Sequence, residues 1–388
     1  MRLNELVRNS TESPIGATFE LLKRCRGEVL DLAQAAPRYP PAPEVVDRLV
    51  AAARSARGAE YTEIAGLPAL RAGFAAELSA AYRGTVCPEQ VVITAGCNQA
   101  FCLAVSALAA PGDEVVVALP YYFNHDMWLR MSGIVTRYLE PGADLAPTVE
   151  DAERLLTRRT RAIVLVTPGN PTGLTLSPDL LEQFLDLARS HGIALILDET
   201  YRSFRDTDEP AHRLFADPGW TDTLVSLHSF SKDLALPGHR VGAVVASGDL
   251  QREVTKLLDC VAVCAPRLGQ EAVLAGLREA GTWRAARAAE LSHMRSDLAA
   301  AMEARPGGFE LLALGGFFGW VRHPFGDHPT DEVARDLALE HRVLVVPGSA
   351  FLPDDRSMLR VSVSNLGEGG ATELAERLVA AGRTAVSR

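Results

Sequence analysis

The chain has few cysteines, and they are poorly arranged for disulfides or metal. The six, at positions 25, 87, 97, 102, 260 and 264, form no Cys-x-x-Cys pair and no metal-ligand spacing. Reduced thiols of a cytoplasmic protein are the expected state, not a disulfide framework. No apolar run reaches membrane-spanning length. The segment from Met1 to Pro14 carries charges but lacks the apolar stretch of a signal peptide. Positive charge is the scarcer sign: 39 Lys and Arg stand against 49 Asp and Glu, a net charge of −10. That balance argues against nucleic acid or an anionic membrane as the main partner. Internal repeats and low-complexity tracts are absent as well.

What is present is the composition of an ordinary soluble protein, 47% hydrophobic and 23% charged over 388 residues. That length suits two domains. Residues 1–45 read as irregular and end in a proline-rich extended strap, Pro37-Arg38-Tyr39-Pro40-Pro41-Ala42-Pro43. From 44 to 83 the pattern is helical on either side of a break at Tyr61–Pro68. Seven apolar runs follow, alternating with helical stretches: 91–94, 114–119, 134–138, 162–167, 194–197, 224–227 and 241–246. Rich in Val, Ile and Leu and weakly alternating, they read as strands buried on both faces. The expected fold class is therefore α/β, a mostly parallel seven-stranded sheet between helices. Among those helices 178–191 is the best signalled, with Ser177 to cap it, Pro178 in its first turn and Gly192 to close it. After about 270 a long helical stretch, 272–304, leads to short strands near 317–321, 343–346 and 359–363, with a helix over 330–340. This predicts a large domain over 46–280 and a smaller α+β domain of 281–388 packed with the N-terminal strap of 1–45.

Ligands of open α/β sheets bind at the carboxyl ends of the strands. After the sixth run stands Ser229-Phe230-Ser231-Lys232, then Arg240-Val241-Gly242. A lysine on a turn between buried strands is desolvated, which makes its amine a nucleophile. Ser229, Ser231 and Arg240 supply the donors that hold a phosphate. An aldehyde trap beside an anion anchor is what pyridoxal 5′-phosphate (PLP) requires, although a surface turn with a lysine has the same local sequence. After the first run, Gly96-Cys97-Asn98 opens a helix, either as a plain tight turn or with its amides around a phosphate. After the second come Tyr121-Tyr122-Phe123-Asn124-His125, aromatics that serve as core or stack on a flat ring. Asn170, in Pro168-Gly169-Asn170-Pro171, is placed to donate to a phenolic oxygen. Asp198 ends a buried strand, where an acid is costly unless paired, and a pyridinium N–H is such a partner.

Asn170-Pro171-x-Gly173, Asp198-x-x-Tyr201, Ser229-x-Ser231-Lys232 and Arg240-x-Gly242 stand in the order and spacing of the class I/II aminotransferases. The chain resembles that family, PLP enzymes of fold type I related to aspartate aminotransferase, from about Asp31 to Asn365. The resemblance implies that Lys232 links to the cofactor aldehyde and shuttles the substrate proton. It implies that Asp198 holds the pyridine nitrogen, that Asn170 and Tyr201 bond the phenolic oxygen, and that Tyr122 stacks on the ring. Cys97 and Asn98 amides with Ser229, Ser231 and Arg240 would bind the phosphate, joined by Tyr61 from a neighbouring subunit of a homodimer. Arg360, in Leu359-Arg360-Val361-Ser362, would grip the substrate α-carboxylate, near the backbone of Ala35. The family usually has glycine where Ala35 stands, so the substrate analogy departs there. His125 follows the aromatic as in aspartate-type members, and is read as structural.

The expected activity is therefore transfer of an amino group from an L-amino acid, apolar or aromatic, to a 2-oxo acid. Tyr39, Tyr122, Phe317, Phe318 and Trp320 are the residues that suggest such a side chain, with core positions the alternative for several of them, and no arginine is assignable to a second substrate carboxylate. The same cofactor supports β-elimination, oxidation, or a cyclase or replacement reaction. A non-catalytic PLP-binding regulator would need an added basic DNA-binding domain, and the motifs begin within about 35 residues of Met1.

Overall fold

The computed structural model describes residues 1–207, 209–326 and 328–385. Its centre is a seven-stranded sheet whose strands we number β1 (Val91–Thr94), β2 (Glu114–Ala118), β3 (Val135–Leu139), β4 (Thr160–Val166), β5 (Ala194–Asp198), β6 (Leu224–Ser229) and β7 (Gly242–Val245). All seven apolar runs of the sequence are in it. The order across the sheet is β1-β7-β6-β5-β4-β2-β3. The pairs from β6 to β3 are parallel, and β7 runs antiparallel to both β6 and β1. Apolar side chains on the two faces feed two separate cores. One includes Ile163, Leu165, Leu195 and Leu197. The other includes Val115, Val117, Val164 and Ile196. Alternate residues of one strand thus enter opposite cores, which is why the runs show no polar alternation.

The helix Pro178–Ser190 has the ends its sequence signalled: Ser177 Oγ accepts from the Leu180 amide at 3.3 Å, and Gly192 takes φ 61° just past the end. Leu181, Phe184, Leu185, Leu187 and Ala188 form its buried stripe. Beyond it, a third core of Leu298, Phe309, Phe318, Leu337 and Leu374 underlies a four-stranded antiparallel sheet. That sheet runs Val346–Pro347, Met358–Ser362, Phe318–Arg322, Glu310–Gly315.

Three expectations are corrected. Residues 1–45 are not irregular throughout, because helices form at Glu5–Arg8 and Pro14–Leu22 and another starts at Pro43. Asn4 and Ser13 cap the first two with their side chains, and such short helices leave little periodicity to read. The expected helix over 272–304 is two, Arg267–Glu279 and Gly281–Glu303, parted at the buried Ala280 where glycine follows. The run near 343–346 is likewise divided. Val343–Leu344 pairs in parallel with Leu30–Asp31, while Val346–Pro347 joins the four-stranded sheet.

Gly242 is where the sheet closes on the site. It pairs with Thr94 on one side and Ser229 on the other. A Cβ there would stand 2.5 Å from the Gly96 carbonyl carbon, 2.7 Å from Cys97 N and 2.7 Å from His228 O. All three are backbone atoms and cannot swing aside. Gly242→Ala is expected to lower stability by about 3 kcal/mol in urea unfolding. An unchanged midpoint would mean that β1 and β7 separate freely at this point.

Candidate active site

The carboxyl ends of β1, β2, β4, β5 and β6 surround a cavity of about 230 Å³. Its wall brings together Ala35, Cys97, Asn98, Tyr122, Asn170, Asp198, Tyr201, Ser229, Ser231, Lys232, Arg240 and Arg360, scattered over 326 positions of sequence. Of the residues given a cofactor or substrate-carboxylate role from sequence, only Tyr61 stands apart: it is 77% exposed and lines no part of this cavity. Of the aromatics read as a side-chain pocket, only Tyr122 lines it; Tyr39 and Phe317 border a separate cavity, and Phe317, Phe318 and Trp320 are core.

One end of the cavity is built for an anion. Gly96, at φ 85°, opens the helix Cys97–Leu108, so that helix's first amides face the cavity. A side chain at Gly96 would collide with Arg240, 2.3 Å from its Nη2. Arg240 itself is left-handed, φ 51°, and its Nη1 donates to Pro237 O at 2.9 Å and reaches Ser231 Oγ at 3.4 Å. The Ser231 amide donates to Ser229 Oγ at 3.2 Å. Amides, hydroxyls and a guanidinium therefore converge on one spot, with no carboxylate paired to Arg240 among the described residues.

Asp198 occupies the middle and is 3% exposed. Its Oδ1 accepts from the Thr200 amide at 2.9 Å, and its Oδ2 lies 3.3 Å from His125 Nε2. Burial drives the carboxyl pKa upward, but His125 and Thr200 outweigh it and leave the pKa below the usual range. Asp198 is thus an ionised acceptor. His125 is held by stacking on Phe101, ring centres 3.9 Å apart, and by the edge of Tyr122 at 5.1 Å. The Tyr122 hydroxyl donates to Asn124 Oδ1 at 2.8 Å, and the residue lines the cavity. Burial pushes the Tyr122 pKa up to about 12, so it stays a phenol.

Lys232 Nζ donates to the Ala35 carbonyl. Its pKa is lowered to about 8, by burial first and then by Arg360 and Arg240. Arg360, 2% exposed, lies between the rings of Phe318 and Phe351 at 4.9 and 5.2 Å. It donates to Asn170 Oδ1 at 3.1 Å and to the Ala33 carbonyl. Its buried Nε has no partner, and no carboxylate pairs with it among the described residues. Sequence reasoning missed Thr200, Gln34 and Ile15. Thr200 acts through its backbone amide, to which sequence is blind. Ile15 sits on the helix hidden in the stretch read as irregular.

The cavity wall thus carries Lys232, Arg240 and Arg360 against the single acid Asp198, an excess of positive charge inside a protein of net charge −10. Such a site takes a polyanion with a further carboxylate. A sheet of this order, with a lysine and an acid at adjacent strand ends, defines the PLP-dependent transferases of fold type I. More narrowly, residues 27–378 match the family model for aminotransferase class I and II, and the chain belongs to that family. It is 29% identical to an aspartate aminotransferase of Thermotoga maritima over 353 residues, 89% of this chain and 91% of the relative. It is 30% identical to an aromatic aminotransferase of Arabidopsis thaliana over 378 residues, 95% and 93% of the two chains. Among solved structures, an aspartate aminotransferase of Thermotoga maritima superposes with a TM-score of 0.88 at 26% identity, over 97% of this chain and 99% of that one. The protein is an amino acid aminotransferase, of a family that depends on PLP.

The Lys232 pKa predicts a stability profile for the cofactor-free chain. With the folded value at about 8 and the free value at 10.5, the unfolded state holds more protons between them, so stability rises with pH across that window. Lys232→Met removes the buried charge and is expected to be more stable than wild type at pH 7 by roughly 3 kcal/mol. That advantage should vanish towards pH 10.5, as followed by urea unfolding. A constant difference across the range would contradict the assignment.

Proposed function

We propose that this chain uses PLP, linked through Lys232, to move the amino group of an apolar or aromatic L-amino acid to a 2-oxo acid. The observation that carries this reading is Arg360: a buried guanidinium on the same cavity wall as Lys232 and Asp198, with no carboxylate paired to it among the described residues. The cradle of Cys97, Asn98, Ser229, Ser231 and Arg240 fits the cofactor phosphate, and Asp198 fits a protonated ring nitrogen. Asn170 and Tyr201 would meet the phenolic oxygen, with Tyr122 against the ring face. When bound, PLP supplies the electron sink that makes the Cα–H of an attached amino acid acidic. The chain supplies the rest. Arg360 holds the α-carboxylate. Lys232, neutral at mildly alkaline pH, takes and returns the proton. The phenylalanines flanking Arg360 and the closed sheet end keep water out.

The side-chain preference rests on what remains of the wall. Ile15, Ala35, Ala36 and Phe123 are apolar, Gln34 and Asn98 are neutral, and every charged residue of the lining already has a role. Purified protein is expected to be yellow, with borohydride fixing the pyridoxyl group to Lys232. A single turnover with phenylalanine or leucine should release one 2-oxo acid per site and stop until an acceptor is added. Continuous ammonia release would indicate elimination, and oxygen uptake an oxidase. kcat/KM for phenylalanine should exceed that for aspartate by about tenfold or more; the reverse order would remove the side-chain assignment.

We also read Tyr61 as serving the site of a second subunit in a homodimer, a reading supported by its exposure. Tyr61→Ala and Lys232→Ala are each expected to be inactive alone. Mixed under conditions that exchange subunits, they should regain activity, because one hybrid site is then complete. Proven exchange without recovery would refute the shared site.

A further inference from the structure

Asp198 and Glu199 are consecutive acids at the end of β5, at 3% and 1% exposure. Successive side chains of an extended segment take opposite faces. Asp198 lines the cavity, whereas Glu199 enters a buried polar cluster outside it. Every neighbour there donates to Glu199. Tyr82, just past the helix Pro68–Ala81, gives its hydroxyl to Oε1. His212 Nε2 is 3.2 Å from the same oxygen. Its Nδ1 accepts from the Leu214 amide at 3.2 Å, which leaves the ring proton on Nε2 and the ring neutral. Ser226, on β6, donates to Oε2 at 2.6 Å and accepts from His228 Nε2 at 2.8 Å. His228 Nδ1 is buried without a partner, the bare lone pair that this tautomer requires.

A carboxylate that meets only donors is ionised. Burial raises the Glu199 pKa, but the hydrogen bonds from His212 and Ser226 work against it and hold the group below the usual carboxylate range. The cations Arg202 and Arg205 act on the cluster only through their fields. Apolar residues of similar volume would fill such a space at less cost than a lone buried anion, so stability alone does not account for it. Its position does. The Glu199 amide bonds the Leu227 carbonyl at 2.9 Å, extending the β5–β6 ladder. The side-chain chain from Glu199 through Ser226 to His228 staples the same two strand ends. Those ends deliver Asp198 and, one residue past His228, the turn from Ser229 to Lys232.

We propose that Glu199 is a positioning residue for the site on the opposite face: it pins the end of β5 to the end of β6 and so sets Asp198 against the Ser229–Lys232 turn. This rests on the PLP reading above, and the experiment separates the two. Glu199→Gln keeps the shape and leaves a folded cluster open: the amide oxygen still receives Tyr82 and His212, and Ser226 can reverse because His228 Nδ1 is free to take the proton. Ser226→Ala cuts the same staple on the β6 side. Both holoenzymes are expected to bind PLP about tenfold more weakly. Their visible absorbance, titrated against pH, should move its midpoint by about half a pH unit or more. Leu187→Ala, a core variant on the helix Pro178–Ser190, should match their loss of melting temperature and leave both readouts at wild-type values. Unshifted readouts in both cluster variants, an equal shift in Leu187→Ala, or failure of both cluster variants to fold would each overturn the proposal. A wild-type protein that takes up no PLP would overturn the proposed function and this inference together.

Discussion

The site depends on holding an ionised carboxylate inside the sheet. Asp198 sits in the ladder between Val166 on β4 and Leu227 on β6, almost wholly buried. Burying such a charge costs several kcal/mol unless it is paired and hydrogen-bonded. Here the Thr200 amide and His125 supply the bonds. His125 in turn depends on Phe101 and Tyr122, which fix its ring. The aromatic cluster after β2 thus acts through the acid it orients. A histidine read from sequence as structural is, in the fold, the group that keeps Asp198 charged.

Charge explains the rest of the cavity. Lys232, Arg240 and Arg360 converge with no carboxylate paired to them among the described residues. Elsewhere partly buried arginines are compensated: Arg202 and Arg284 share Glu77, and Arg284 also meets Asp233. The contrast matters because Arg202 and Asp233 directly follow Tyr201 and Lys232. Behind the cavity wall the charges are matched, and in front of it they are left for a ligand. Burial first, and then repulsion from Arg360 and Arg240, lowers the Lys232 pKa, so of the three cations its amine gives up its proton most readily.

Much of this was legible in the sequence. The seven apolar runs are continuous because strands with both faces buried have no polar side, and all seven join the sheet. The residues at their ends were singled out by the spacing of the family's motifs, and the fold brings them to one cavity wall. Ile15 was not readable, since a nine-residue helix at Pro14–Leu22 with only Thr18 buried has no apolar stripe to detect. Thr200 was not, because its contribution is a backbone N–H. The Glu199 cluster was not, because Tyr82, His212, Ser226 and His228 come together only through tertiary structure.

Ala35 shows how a departure in sequence can leave the backbone intact. Where the family resemblance leads one to expect glycine, a methyl group threatens the pocket on two counts, conformation and volume. The first does not arise, because Ala35 is outside the left-handed region and an L residue fits without strain. On the second, its side chain packs against the core of Leu32, Phe317 and Phe318 even though the residue reaches the cavity wall. The groups that matter at this position belong to the main chain: the Ala35 carbonyl receives the Lys232 amine, as the Ala33 carbonyl receives Arg360. The N-terminal segment therefore tethers Lys232 and Arg360 by backbone oxygens that no side-chain substitution removes. What alanine adds is one methyl on a wall whose neighbours Ile15, Ala36 and Phe123 are already apolar.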